Sequence, residues 1–154
     1  MPGSFDSGCA EPACADKSDL LARALGSKPT GPCPPDREQL GRGAWALLHT
    51  TAAYFPSTPS AADRDAARAL VLGLTALYPC THCRDDFRES VAAAPVQCES
   101  REALQRWACE RHNEVNAKLG KPAFSCEPSA LLLRWRTGCA AKGASLSLGG
   151  DAKP

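Results

Sequence analysis

Tyr78-Pro79-Cys80-Thr81-His82-Cys83 contains the one Cys-x-x-Cys of the chain. Two thiols at that spacing can close a small, reducible disulfide or share a metal ion. Pro79 does not extend a helix behind it, so the pair is expected to open a new one. Cys80 then sits near a helix N-terminus, where the positive end of the backbone dipole favours a thiolate. A readily formed thiolate is a good leaving group and a useful partner for an electron acceptor. A second group lies upstream: Arg42, Trp45, His49 and Tyr54 are expected on the helix face adjacent to the apolar stripe, with Trp45 and His49, four apart, stacked along it. A third lies downstream, where His112, Val115, Asn116 and Leu119 recur at spacings of three and four, so one helix face offers polar and apolar atoms together. Lys118 and Lys121 add positive charge near the end of the same segment. No Gly-x-Gly-x-x-Gly is present, which excludes a Rossmann dinucleotide site. Taken singly, each of these aromatic and histidine residues reads as core packing.

Nine cysteines fall at 9, 14, 33, 80, 83, 98, 109, 126 and 139 of 154 residues. That is too many for an ordinary reduced cytosolic enzyme without metal. The clustered pairs of a four-cysteine zinc site are missing, unless Cys9 and Cys14 complete one with Cys80 and Cys83. Net charge is +1, with 18 basic and 17 acidic side chains, so no global field points to nucleic acid or a membrane surface. No apolar run approaches the ~18–20 residues of a membrane span. The first residues lack the basic and apolar blocks of a secretory signal. An oxidising compartment reached without a cleaved signal is the expectation.

The elements that must position these residues follow from periodicity. Residues 1–32 are expected to form a flexible arm, since six of 13 prolines fall within 1–35 and little apolar surface is available to offset ordering. Within it, Ser18–Leu25 could form one or two helical turns, and Cys9-x4-Cys14 could be a mobile dithiol or a pair of incidental thiols. The folded part begins at Cys33-Pro34-Pro35-Asp36, and apolar or small residues at 40, 44, 47, 48, 51 and 55 predict a first helix up to Pro56. Ser60 and Asp63 form a capping-box pattern before a second helix with a buried stripe of Ala62, Ala66, Ala69, Leu70, Gly73, Leu74 and Leu77. A third runs from Cys80 to about Ala94. Ser100 caps a fourth, with Leu104, Trp107, Ala108, Val115 and Leu119 apolar, stopped by Gly120 and Pro122. A short last helix is expected over Ser129–Arg136, and residues 140–154 are expected to form an unstructured tail. With no period-two alternation, the fold class is all-α: a four-helix bundle plus a short fifth helix. The absence of strands also excludes a thioredoxin fold.

Three separated segments converge on one pattern: Cys33-Pro34-Pro35-Asp36-Arg37-Glu38-Gln39-Leu40-Gly41-Arg42 through Trp45, His49 and Tyr54; Tyr78-Pro79-Cys80-x-x-Cys83; and Trp107-Ala108-Cys109 leading into His112-Asn113-Glu114-Val115-Asn116-Ala117-Lys118-Leu119-Gly120-Lys121, followed by Cys126. In order and spacing, residues 33–136 resemble the Erv/ALR family of FAD-dependent sulfhydryl oxidases. The resemblance implies FAD at the mouth of the bundle. It makes Cys83 the flavin-proximal thiol and Cys80 the sulfur that exchanges with an incoming dithiol. Arg42, Trp45, His49 and Tyr54 would line the cofactor from the first helix. Cys109, His112, Asn113, Val115, Asn116, Lys118 and Lys121 would hold it from the fourth, and Trp135 would close over it. Cys109 and Cys126 would pair as a structural disulfide, and Cys33 with Cys139 between subunits of a homodimer; Cys98 is left without a partner. The family's mammalian members carry an N-terminal Cys-x-x-Cys and its plant members a Cys-x4-Cys at the other end. This chain puts Cys-x4-Cys at the N-terminus. Its segment between Cys126 and Cys139 is also shorter than in the mammalian members.

The implied activity is dithiol oxidation. A reduced partner protein, of the kind that oxidises imports in the mitochondrial intermembrane space, passes electrons through Cys9–Cys14 and Cys80–Cys83 to FAD and on to O2 or cytochrome c. The competing reading from the residues is a non-enzymatic helical binding module stabilised by disulfides or zinc. A secreted signalling role is a further competitor, against which the missing signal peptide counts.

Overall fold

The computed structural model describes residues 25–26 and 34–138. The Cys9–Cys14 pair, the turns expected over 18–24, Cys33, Cys139 and the tail from 140 lie outside the described residues. The described chain is helical: α1 (Arg37–Tyr54), α2 (Ala61–Leu77), α3 (Thr81–Ala93), α4 (Arg101–Lys118) and α5 (Pro128–Leu132), closed by a π-helical turn, Leu133–Thr137. No strand occurs among the described residues. The expected four-helix bundle with a short fifth helix is the architecture found.

Each long helix starts where its side chains can satisfy the first backbone N–H groups. Asp36 and Gln39 form a reciprocal capping box on α1, which the proline-based reading of this start had not anticipated. Ser60 and Asp63 form the expected one on α2. Ser100 caps α4. Cys80 caps α3 through its own sulfur, which accepts from the Cys83 N–H at 3.3 Å. Gly120, at φ 66°, turns the chain out of α4 in the left-handed region that favours glycine.

α1 lies along α4, and α2 along α3. Leu48, Ala52, Phe55, Ala67, Val71, Val91, Leu104, Trp107 and Ala108 form the core. Each fully buried Leu or Val removes apolar area worth about 1.5–3 kcal/mol. Trp107 is tied at its polar edge, donating from Nε1 to the Ala94 carbonyl at 2.9 Å, which fixes the end of α3 against α4. Arg88 donates twice to the Thr75 carbonyl, which fixes α3 against α2 across the turn that carries Cys80. Cys98 is fully buried in this core and has no disulfide.

The expected stripe of α2 is displaced. Ala67, Val71 and Thr75 are buried, while Ala62, Ala66, Ala69 and Leu77 are exposed. On α1, Leu47 is likewise turned out to solvent. Both sides of α2 are apolar, so periodicity marks two stripes and cannot say which one meets the core. The last helix also differs. It is α-helical only to Leu132 and then widens by one residue per turn, with the Gly138 N–H closing onto the Leu133 carbonyl at 2.7 Å.

Candidate functional site

Cys80 and Cys83 are joined in a disulfide across the start of α3, with Cα atoms 5.3 Å apart. The two sulfurs face different surroundings. Cys80 is 4% exposed. Cys83 lines a cavity of about 810 Å³ together with Trp45 and Leu48 of α1, Leu74 and Tyr78 at the end of α2, His82 and Phe87 of α3, and Val115 of α4. These side chains make a largely apolar slot with one sulfur in its wall. Its rim is charged, with Asp36, Arg37, Glu38, Asp86, Lys118 and Lys121. Lys118 is ion-paired with Asp86.

A second cavity, of about 330 Å³, adjoins the first and shares Glu38, Trp45, Val115, Leu119 and Lys121 with it. Its walls are Arg42 and His49 of α1, Cys109, His112, Asn113 and Asn116 of α4, and Arg134 and Trp135 of the π-helical turn. Four rings stand here in two stacked pairs. Trp45 lies on His112 with centroids 4.3 Å apart and planes 2° from parallel, and His49 lies on Trp135 at 4.6 Å and 3°. The two pairs are joined by a hydrogen bond of 2.9 Å between His49 Nε2 and His112 Nδ1. Burial lowers the pKa of His49 to about 3, with help from His112 and Arg134. Burial, Arg134 and Lys121 lower that of His112 to about 4. Both rings are neutral at pH 7, so one nitrogen of the pair donates and the other accepts.

Cys109 and Cys126 form a disulfide with S–S 2.03 Å, and Asn113 fastens the same loop by donating to the Phe124 carbonyl at 2.8 Å and accepting from its N–H at 2.9 Å. The bridge and the asparagine hold the Phe124 loop as the floor beneath Arg134, whose guanidinium lies over the Phe124 and Trp135 rings at 5.6 and 5.1 Å. The Trp135 indole Nε1 is buried and has no partner. An orphaned donor in a cavity wall of stacked rings is the counterpart of a polar atom on a flat aromatic ligand.

Of the residues singled out in the sequence, Cys83 and Lys118 line the first cavity, and Arg42, His49, Cys109, His112, Asn113, Asn116 and Trp135 the second. Trp45, Val115 and Lys121 line both. Tyr54 lines neither. The residue is 61% exposed, with its ring beneath the Arg136 guanidinium, which also donates to the Ala53 carbonyl. Nine residues separate Tyr54 from Trp45, which at about 100° per residue places it half a turn round the helix. Arg134 escaped the sequence reading, although its place beside Trp135 was a signal. Leu74, Tyr78, His82 and Phe87 were also missed as wall residues, because nothing local marks a core-type side chain as one that stops short of a neighbour. No group of three or more His, Cys, Asp or Glu able to hold a metal occurs among the described residues.

An all-helical bundle with a disulfide set into the wall of a two-part, aromatic-lined cavity defines a small redox fold. The chain belongs to the Erv1 / Alr family, whose model matches residues 42–136. The mitochondrial FAD-linked sulfhydryl oxidase ERV1 of Saccharomyces cerevisiae is 43% identical over 105 residues, covering 68% of this chain and 54% of that protein. The FAD-linked sulfhydryl oxidase ERV1 of rice (Oryza sativa subsp. japonica) is 45% identical over 94 residues, covering 61% of this chain and 48% of that one. The chain thus spans about half the length of the curated relatives it matches. The crystal structure of the yeast Erv1 core superposes with a TM-score of 0.68 at 40% identity, covering 75% of this chain and 97% of that one.

Proposed function

We propose that this chain is an FAD-linked thiol oxidase that makes disulfides in a partner protein. The observation that carries this reading is Cys83, bonded to Cys80 yet set in the wall of a slot that opens into a second, ring-stacked cavity. The residues present fit FAD. The slot beside Cys83 takes a planar ring system, and the orphaned Trp135 Nε1 and the stacked rings suit an adenine. Lys121, which lines both cavities, supplies charge for the phosphates together with Arg42 in the second and Lys118 in the first. The family's FAD-linked relatives support the same assignment.

In the exchange step, a thiolate of the reduced partner attacks Cys80 Sγ. The Cys80–Cys83 bond breaks and its electron pair leaves on Cys83 Sγ as thiolate. The partner's second thiol, deprotonated, then displaces Cys80, which takes up a proton. The partner has gained a disulfide and the pair at α3 has gained two electrons. The Cys83 N–H that opens α3 stabilises charge on Cys80 Sγ as that sulfur leaves in the second displacement. FAD held beside Cys83 would supply a two-electron acceptor for that thiolate, with O2 or cytochrome c as the terminal acceptor. The chain's part is to hold the sulfur in the slot wall and keep the slot apolar.

Cys9–Cys14 serves in this scheme as the arm that exchanges with Cys80–Cys83. A second copy of the chain covers the exposed apolar face of α2, where Leu72 and Leu77 are 56% and 80% exposed. The site of action is the mitochondrion, within it the intermembrane space, supported by the mitochondrial relatives. The partner is a dithiol oxidoreductase of that space. No helix among the described residues is long and apolar enough to cross a membrane.

The deciding experiment is the visible spectrum of the purified protein before and after anaerobic dithiothreitol. A flavin spectrum that bleaches and returns in air is the expected result. A colourless protein that does not take up FAD would sink the proposal.

A further inference from the structure

Arg42 and Lys121 are already occupied by an anion of the chain's own. Glu38 Oε1 lies 2.8 Å from Arg42 Nη1 and 3.8 Å from Lys121 Nζ, and Glu38 lines both cavities. One oxygen thus bridges a cation on α1 and a cation beyond α4, at the point where the cavities meet. Lys118, the other lysine on this rim, is held by a different carboxylate, Asp86. Glu38 sits in the first turn of α1, where the helix dipole favours negative charge, and its side chain is 61% exposed, so it can swing into water without leaving a buried charge behind.

We propose that Glu38 is a built-in counter-ion that holds Arg42 and Lys121 in the ligand-free protein and is displaced from them by the cofactor's diphosphate. The inference rests on reading the two cavities as the FAD site. Two anionic groups cannot share the same pair of cations at contact distance without repulsion. The diphosphate carries more charge and more acceptor oxygens than one carboxylate, and guanidinium pairs with it by parallel N–H bonds, so it wins the exchange. Glu38 keeps the cations gathered before loading and lowers the affinity for every phosphate-bearing ligand by the strength of the contacts it must give up.

The test is FAD rebinding to the full chain after the cofactor is removed, followed by flavin fluorescence, for the wild type, Glu38→Gln and Glu38→Ala. Both variants are expected to bind FAD at least about threefold more tightly, with a steeper loss of affinity as salt rises. ADP, measured by calorimetry, should tighten likewise, while riboflavin, which has no phosphate, should bind unchanged. Where ligand-free protein is not recovered, slower FAD release from the loaded variants reads the same difference. Unchanged or weaker FAD binding overturns the inference, as does a gain that riboflavin shares. The double variant Arg42→Ala, Lys121→Ala separates the two layers. If it leaves FAD affinity intact, the site reading fails with everything built on it. If it weakens FAD binding and Glu38→Gln does not tighten it, the counter-ion role alone fails.

Discussion

Cys80 and Cys83 share a bond but not an environment, and the difference bears on the roles proposed for them. Cys83 faces the slot, whereas Cys80 is 4% exposed, so the exchange proposed at Cys80 requires the Pro79–Cys80 turn to open locally. Cys83→Ser should abolish turnover of any dithiol while the bound flavin's absorbance persists. Loss of the flavin instead would make Cys83 a structural residue. The two histidines of the ring-stacked cavity give a pH dependence with a definite sign. Their folded pKa values, about 3 and about 4, lie below the unfolded value of 6.5, so the unfolded chain binds protons that the folded one does not. Their contribution to stability is complete above pH 6.5 and is lost as pH falls toward 4, with a limiting slope of about 1.4 kcal/mol per pH unit for a fully buried histidine. Urea unfolding from pH 7.5 to 4.5 measures it, and replacing His49 by Gln should flatten the curve. These residues could be named from type and spacing, but their pairing could not. Whether His49 meets His112, 63 positions away, depends on how α1 lies against α4.

An element of only five residues decides most about the second cavity. In the π-helical turn, a Cβ on Gly138 would lie 2.1 Å from the Leu133 carbonyl oxygen, closer than any side chain tolerates. The requirement is for space, since its φ of −73° suits any residue. Gly138→Ala should therefore break the closing hydrogen bond, release Trp135 and Arg134 from the wall, and weaken FAD binding about tenfold or more. Helicity should be nearly unchanged, because α1 to α4 do not depend on this turn. Equal FAD affinity would show that Trp135 keeps its place by stacking on His49 alone. The helix starts were largely legible, since Ser60, Cys80 and Ser100 act within their own turn. The widened turn was not, because its signal is a backbone contact that a glycine permits rather than a residue that makes one.

For the whole molecule, the apolar face of α2 and the Cys9–Cys14 pair both bear on the proposed route by which electrons arrive. Leu72→Asp with Leu77→Asp should convert a dimer into a monomer in sedimentation while flavin stays bound. A monomeric wild type would mean that something else covers that face. Replacing Cys9 and Cys14 by Ser should spare oxidation of dithiothreitol and slow that of a protein dithiol several-fold. An equal fall with both substrates would remove the arm from the electron path.

The sequence by itself determined the helices, the caps at Ser60 and Ser100, the redox pair at the start of α3 and the family pattern that joins three distant segments. All of these rest on interactions within a few residues or on motif order. Only the tertiary structure decided which apolar stripe of α2 is inside, that Tyr54 stands away from both cavities, and that Arg134 and Glu38 stand at them. Helical periodicity gives the angle of a side chain about its own axis. What that angle faces is set by the packing of one helix against another, and no single segment carries that information.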